Sequence, residues 1–259
     1  MIVYVNCNLK TSYNQNHNLL MAKILMFGNQ KGGIGKSTLT VLTANALSAP
    51  GFDYKVLVID NDTQRSVISI RNYDSEIMEE EHGKSFKFPY DVKALTYNQI
   101  RDKILQLDEE YDFILIDTPG RIDLEQNIKQ QQITKLLSFV DFVFVPFKGG
   151  ALNLDSTLRY SKLLLDIQAL RKGKPRPLNL YGLVNFYREN AITDQELKDE
   201  IKYLESNTNI IFMNAKMRQY ALYERLDSYQ SIYISGRTSN KAKKSFSTWF
   251  GEFIRIILK

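Results

Sequence analysis

The sequence predicts an α/β fold: a single domain built on a mostly parallel, twisted sheet flanked by helices. Three observations predict it. Apolar runs of strand length alternate with stretches of helical periodicity, the pattern of βαβ units around a parallel sheet. A glycine- and lysine-rich segment, residues 28–38, stands between the first such run and the first helical stretch. The length, 259 residues, suits one medium α/β core and leaves no room for a second large domain.

Taken in order, residues 1–20 are polar and asparagine-rich, and Met21-Ala-Lys leads directly into an apolar run. Residues 1–20 are therefore expected to be a leader, non-native or disordered, with Met21 the natural start; a genuine short N-terminal arm is the alternative. The domain proper is expected over 21–259. Strands are predicted at 24–28, 55–60, 90–95, 111–117, 141–147, 180–186 and 210–213. Between and after them, helical spacing predicts helices near 36–48, 64–79, 97–108, 125–138, 154–171, 193–205 and 239–258. Lys172-Gly-Lys-Pro-Arg-Pro177 reads as a breaker-rich connection.

Composition narrows the class of function. Hydrophobic residues make up 44% and charged residues 24% of the chain, ordinary usage for a folded globular protein. The single cysteine, Cys7, excludes an intrachain disulfide framework, a CxxC metal site and a cysteine-ligated iron–sulfur cluster. That usage fits a reducing cytosol. No apolar run reaches the roughly 20 residues that a membrane-spanning helix needs. The net charge is +5, and it is unevenly placed. Residues 211–259 hold nine basic and three acidic side chains, so the remainder is about neutral.

The segment Gly28-Asn-Gln-Lys-Gly-Gly-Ile-Gly-Lys-Ser-Thr38 has the strand-to-helix context that a phosphate-binding loop requires. Glycines let backbone N–H groups approach phosphate oxygens, and a helix N-terminus adds favourable partial charge. Lys36 is placed to contact the β- and γ-phosphates and the Ser37 hydroxyl to ligate Mg²⁺. The strict G-x4-G-K-[ST] pattern fails, because Gln30 occupies its first glycine position; Gly32 and Gly33 supply flexibility instead. A second lysine, Lys31, precedes the glycine pair. It cannot easily fold back onto a nucleotide that Lys36 already serves.

Lys31-Gly-Gly-Ile-Gly-Lys-Ser-Thr38 resembles the deviant Walker A loop of the ParA/MinD/nitrogenase-iron-protein superfamily of P-loop NTPases. The resemblance spans about residues 22–258 and, through Asn29-Gln30, is greatest to partition ATPases of the short ParA/Soj type. It implies nucleotide contacts from Gly32, Gly33, Ile34, Gly35, Lys36, Ser37 and Thr38, and a Lys31 that reaches the partner subunit's ATP across a dimer interface. Val56-Leu-Val-Ile-Asp-Asn-Asp-Thr-Gln64 is similar to the second acidic motif of that family, with Thr63 where proline is common. By that similarity Asp62 activates or positions the attacking water, and Asp60 supports Mg²⁺ and Ser37. Phe113-Ile-Leu-Ile-Asp-Thr-Pro-Gly120 looks like Walker B with its switch: Asp117 holds Mg²⁺ through water, and Gly120 responds to the γ-phosphate. Asn185 falls where relatives hold adenine; a merely polar strand end is the competing reading.

The resemblance implies a cytoplasmic, nucleoid-associated ATPase, weak alone. Mg·ATP would close a homodimer, the dimer would bind DNA non-specifically, and a ParB-like activator would stimulate hydrolysis. The C-terminal basic set makes Arg218, Lys241, Lys243 and Lys244 the candidate DNA residues, with a solvated basic face as the alternative. A MinD-like membrane-positioning ATPase is the second reading, carried by apolar spacing from Phe246 to Ile257 behind lysines. A helix that packs on the sheet and closes the core is the plainer account of the same pattern. Neither His17 nor His82 stands beside a nucleophile motif, and Glu79-Glu-Glu-His82 reads as a solvated loop.

Overall fold

The computed structural model describes residues 21–83, 85–120, 127–188, 191–224, 226–232 and 239–259; the leader expected over 1–20 lies outside them. Seven parallel strands form one sheet: β1 (Lys23–Phe27), β2 (Val56–Asp60), β3 (Asp91–Ala94), β4 (Phe113–Asp117), β5 (Phe142–Phe147), β6 (Asn179–Val184) and β7 (Ile211–Phe212). Their spatial order is β3-β2-β4-β1-β5-β6-β7. The helices are α1 (Lys36–Leu47), α2 (Ser66–His82), α3 (Tyr97–Glu110), α4 (Asn127–Leu136), α5 (Ala151–Leu170), α6 (Ala191–Asn207) and α7 (Asn240–Ile257).

Strands β1, β2, β4 and β5 are nearly continuous apolar runs because both faces are covered. Alternation sends Ile24 and Met26 to a core shared with α3, α5 and α6, and Leu25 and Phe27 to one shared with α1 and α7. The second core is aromatic. Trp249, Phe246, Phe250 and Phe253 of α7 are fully buried, and Phe253 stacks on Phe27 at 6.0 Å and meets Phe144 at 4.6 Å. The amphipathic pattern of 246–257 is therefore a core-facing stripe, as the plainer reading held.

Two boundaries differ from expectation by three residues. The Glu79–His82 run is the last turn of α2 rather than a loop, since glutamates are good helix formers where nothing else competes for them. Helix α5 starts three residues earlier than its spacing suggests, at the Gly149-Gly150 break.

The chain crosses from one side of β1 to the other between β4 and β5. In open parallel sheets, ligands bind outside the carboxyl ends of the strands at such a switch point. The glycine-rich loop leaves β1 at that place.

Candidate functional site

The loop after β1 begins where Gly28 N–H donates to Phe144 O at 3.0 Å, and it ends where Gly35 (φ 87°) opens α1 in left-handed geometry. A side chain at Gly35 would be strained by that φ and would run into the Asn185 amide and the Phe186 ring. No side chain caps α1 and no acidic residue lies in its first turn. Its N-terminal partial positive charge is thus left to face the loop.

Lys36 is buried, and its ammonium donates to the carbonyl of Lys31 at 3.1 Å. Burial lowers its pKa, while the charges of Asp117 and Asp62 push it back up. Next to it, Ser37 Oγ donates to Asp117 Oδ2 at 2.7 Å. The other oxygen, Asp117 Oδ1, is buried with no hydrogen-bond partner among the described residues. Burial drives the Asp117 pKa up to about 7. The Ser37 hydrogen bond and Lys36 oppose that rise, and the charges of Asp60 and Asp62 add to it. Gly120 presses on the same spot: a Cβ there would lie 3.3 Å from Gly32 Cα and 3.8 Å from Lys36 Nζ.

The acidic turn after β2 is held by its own carboxylates. Asp60 accepts from the N–H of Asp62 at 3.1 Å and from those of Val67 and Ile68 at 3.0 Å, so it caps α2 and fixes the turn. Both Asp60 oxygens are committed to backbone amides, and its effect on Asp117 is through charge. Asp62 is buried and accepts from Gln64 N–H at 3.0 Å. These bonds supply the rigidity that Thr63, in place of proline, left open.

The remaining expected residues fall at two distances from this centre. Asn185 is buried beside the loop, with Nδ2 donating to Ile34 O at 2.8 Å. The Lys31 ammonium makes no hydrogen bond or ion pair among the described residues. Thr38, with Gly33 and Ser37, lines a cavity of about 560 Å³ that Lys148, Phe186, Gln219 and Tyr223 also border. Sequence reasoning missed those last four. Phe186 holds φ 54°, rare for an aromatic residue, and no sequence pattern announces it. Arg218, Lys241 and Lys244 are exposed and Lys243 is half-buried. Arg218 bridges to Tyr187, next to Phe186 at the cavity, and Tyr220 Oη donates to Lys241 O at 3.4 Å.

These residues fit Mg·ATP. An anion cradle closed by a buried ammonium suits a polyphosphate. A hydroxyl paired with a carboxylate that has one buried oxygen free and too little positive charge around it suits a hard divalent cation.

Fold and site define a P-loop ATPase of the ParA/MinD type with a deviant Walker A loop. The family model for the ATPase MipZ matches residues 23–174, more than half of the sequence, and the chain belongs to that family. A GPN-loop GTPase of Pyrococcus abyssi is 34% identical over 101 residues; the match covers 35% of this chain and only 40% of that protein. Among solved structures, an ATP complex of McdA from Cyanothece superposes with a TM-score of 0.63 at 14% identity, over 90% of this chain and 96% of that one. A plasmid partition protein of Borrelia burgdorferi gives 0.55 at 19%, covering 90% and 99%. MinD of Aquifex aeolicus gives 0.58 at 17%, covering 89% and 98%. At these identities the structural matches establish the fold.

Proposed function

We propose that this chain is an ATP-driven partition or positioning ATPase: it binds Mg·ATP in the loop 32–38, pairs with a second copy, and in that form holds DNA. The observation that carries the reading is the division of labour between the two lysines. Lys36 is buried inside its own loop, whereas the Lys31 ammonium is left without a partner on the same loop. A cation without a partner among the described residues, beside an anion site, suits a phosphate outside its own subunit.

In this reading Lys36 and the loop amides bind the phosphates, and Ser37 and Asp117 hold Mg²⁺, which neutralises charge on the transferred phosphoryl group. Asp62, buried and aimed by Gln64 N–H, orients the attacking water. Asp60 acts as the strut of that turn. Gly120 senses the γ-phosphate from its place beside Gly32 and Lys36, where a side chain would crowd the loop. Asn185 supports the nucleotide from beneath the loop, through Ile34. The whole of 21–259 is one ATPase unit.

Two features support DNA over a lipid surface. The apolar face of α7 is occupied by the core, so the stripe that a membrane reading needs is used internally. Lys241, Lys243 and Lys244 sit in the first turns of α7, where cations oppose the helix dipole. They do not serve helix stability there, and a polyanion is the simplest reason to keep them. A ParB-like activator and nucleoid association complete the expectation.

The test uses light scattering and a DNA mobility shift with ATP. Lys31→Ala is expected to bind nucleotide yet stay monomeric; a normal ATP-dependent dimer would sink the cross-subunit role. Asp62→Ala is expected to bind ATP and persist as the dimer, because the water is no longer positioned. Hydrolysis by that variant at the wild-type rate would remove Asp62 from the mechanism.

A further inference from the structure

We infer that Asn29, braced by Thr157, is the positioning residue for Lys31, and that α5 is thereby coupled mechanically to the phosphate loop. The inference rests on the cross-subunit reading of Lys31. Its observations are independent of that reading.

The peptide group of Lys31 is gripped from both sides. Its N–H donates to Asn29 Oδ1 at 3.1 Å, and its carbonyl accepts from the Lys36 ammonium at 3.1 Å. The second grip comes from a side chain that phosphate would also claim. The first comes from a residue at 0% exposure that no ligand can reach. Asn29 Nδ2 donates to Pro146 O at 2.9 Å and to Thr157 Oγ1 at 3.0 Å. Pro146 lies in β5 and Thr157, equally buried, in α5.

The residue type follows from this geometry. The site asks for one acceptor and two donors on a short planar group, which an asparagine amide supplies. Aspartate lacks the donors, a hydroxyl offers one, and glutamine reaches too far. A buried amide with all three bonds made is fixed in orientation, so its carbonyl oxygen is a rigid anchor for Lys31 N–H. Once Lys36 turns to phosphate, Asn29 is the grip that remains. The direction in which Lys31 leaves the loop is then set by where α5 and the end of β5 hold the Asn29 amide.

Thr157→Val tests this with little change of shape. The readouts are affinity for a non-hydrolysable ATP analogue, the analogue-dependent dimer dissociation constant by light scattering, and the thermal midpoint. We expect analogue affinity within about twofold and a midpoint lowered by a few degrees, because the Asn29 amide loses a buried acceptor, with dimerisation weakened about tenfold, the scale of one buried hydrogen bond. Thr157→Ser, which keeps the hydroxyl, should restore the dimer. Asn29→Ala should weaken it further. Dimerisation of Thr157→Val at the wild-type constant, in a protein whose Lys31→Ala form stays monomeric, overturns the inference. So does a parallel loss of midpoint, analogue affinity and dimer that serine does not restore, which marks Thr157 as structural only. A Lys31→Ala protein that dimerises normally defeats the underlying reading and this inference with it.

Discussion

The two edges of the sheet carry the same residue types and treat them in opposite ways. At the amino edge, Asp108 and Asp141 are buried carboxylates answered by arginine. Arg176 pairs with Asp108 at 2.8 Å and with Asp141 through Nε at 2.8 Å and through Nη2, and it donates to Ala22 O at 2.7 Å. Asp141 also accepts from Ile24 N–H at 2.8 Å. Those carboxylates raise the Arg176 pKa despite its burial. At the carboxyl edge, Asp117 keeps one oxygen unpartnered and its pKa is pushed up to about 7, while Lys36 rests on a carbonyl. At the amino edge both carboxylates have Arg176 as an ion-pair partner within the chain. The carboxyl edge leaves positive and negative groups under-satisfied side by side, the condition for binding a charged ligand and its counterion.

This contrast can be broken most forcefully at Arg176. Arg176→Ala strands two buried carboxylates and is expected to cost about 3–5 kcal/mol in a denaturant melt. Nucleotide affinity of the molecules still folded should be unchanged. A variant that stays stable but loses ATP would mean that the two edges are not separate in function.

Lys36→Ala is the reciprocal change. Loss of a buried ammonium facing phosphate should weaken nucleotide binding about a hundredfold or more, since hydrogen bonds to charged groups are the strong ones. Its thermal midpoint should hold or rise, because an incompletely paired buried charge is removed. Titration calorimetry beside a melt checks both halves.

Asp117→Asn sharpens the electrostatic side. In protein freed of Mg²⁺ and nucleotide, a folded-state pKa raised to about 7 means that the folded form binds the proton more tightly than the unfolded one. That stabilisation is complete below the ordinary carboxylate pKa and is lost as pH rises through about 7. The asparagine variant should therefore match wild type most closely near pH 3 and exceed it at pH 8, by about 1–3 kcal/mol. Equal pH profiles for the two proteins would show that Asp117 is better solvated than its burial implies.

The smallest effect on the fold belongs to the surface. Changing Lys241, Lys243 and Lys244 together to Glu should alter stability by no more than about 0.5 kcal/mol, and in the favourable direction, since acids suit a helix N-terminus. The ATP-dependent DNA shift should disappear. In the parent protein each neutralised phosphate should contribute about −0.9 to the slope of log K against log salt. A triple variant with full affinity at moderate salt places the polyanion surface elsewhere.

Much of this was legible from residue order. Every predicted strand has its counterpart in the sheet, most plainly the inner ones, because buried parallel strands must be apolar throughout and are set apart by polar helical faces. The phosphate loop was legible because its glycines and lysines are adjacent in sequence and do their work as neighbours. Asp60 was less so: an acid two residues before another reads as a ligand, yet its oxygens cap α2. Asn29 was visible only as part of a motif. Nothing in the string shows that its amide reaches Pro146 and Thr157, more than a hundred residues away.

Sequence alone determined the elements and the residue types of the loop after β1, since periodicity and nearest-neighbour geometry fix these locally. The tertiary structure decided which charges are answered and which are left open. Whether Asp141 meets Arg176, or Asp117 meets Ser37, depends on strand order and on how deep each carboxylate sits. Desolvation and pairing are properties of the packed chain, and no local stretch of residues contains them.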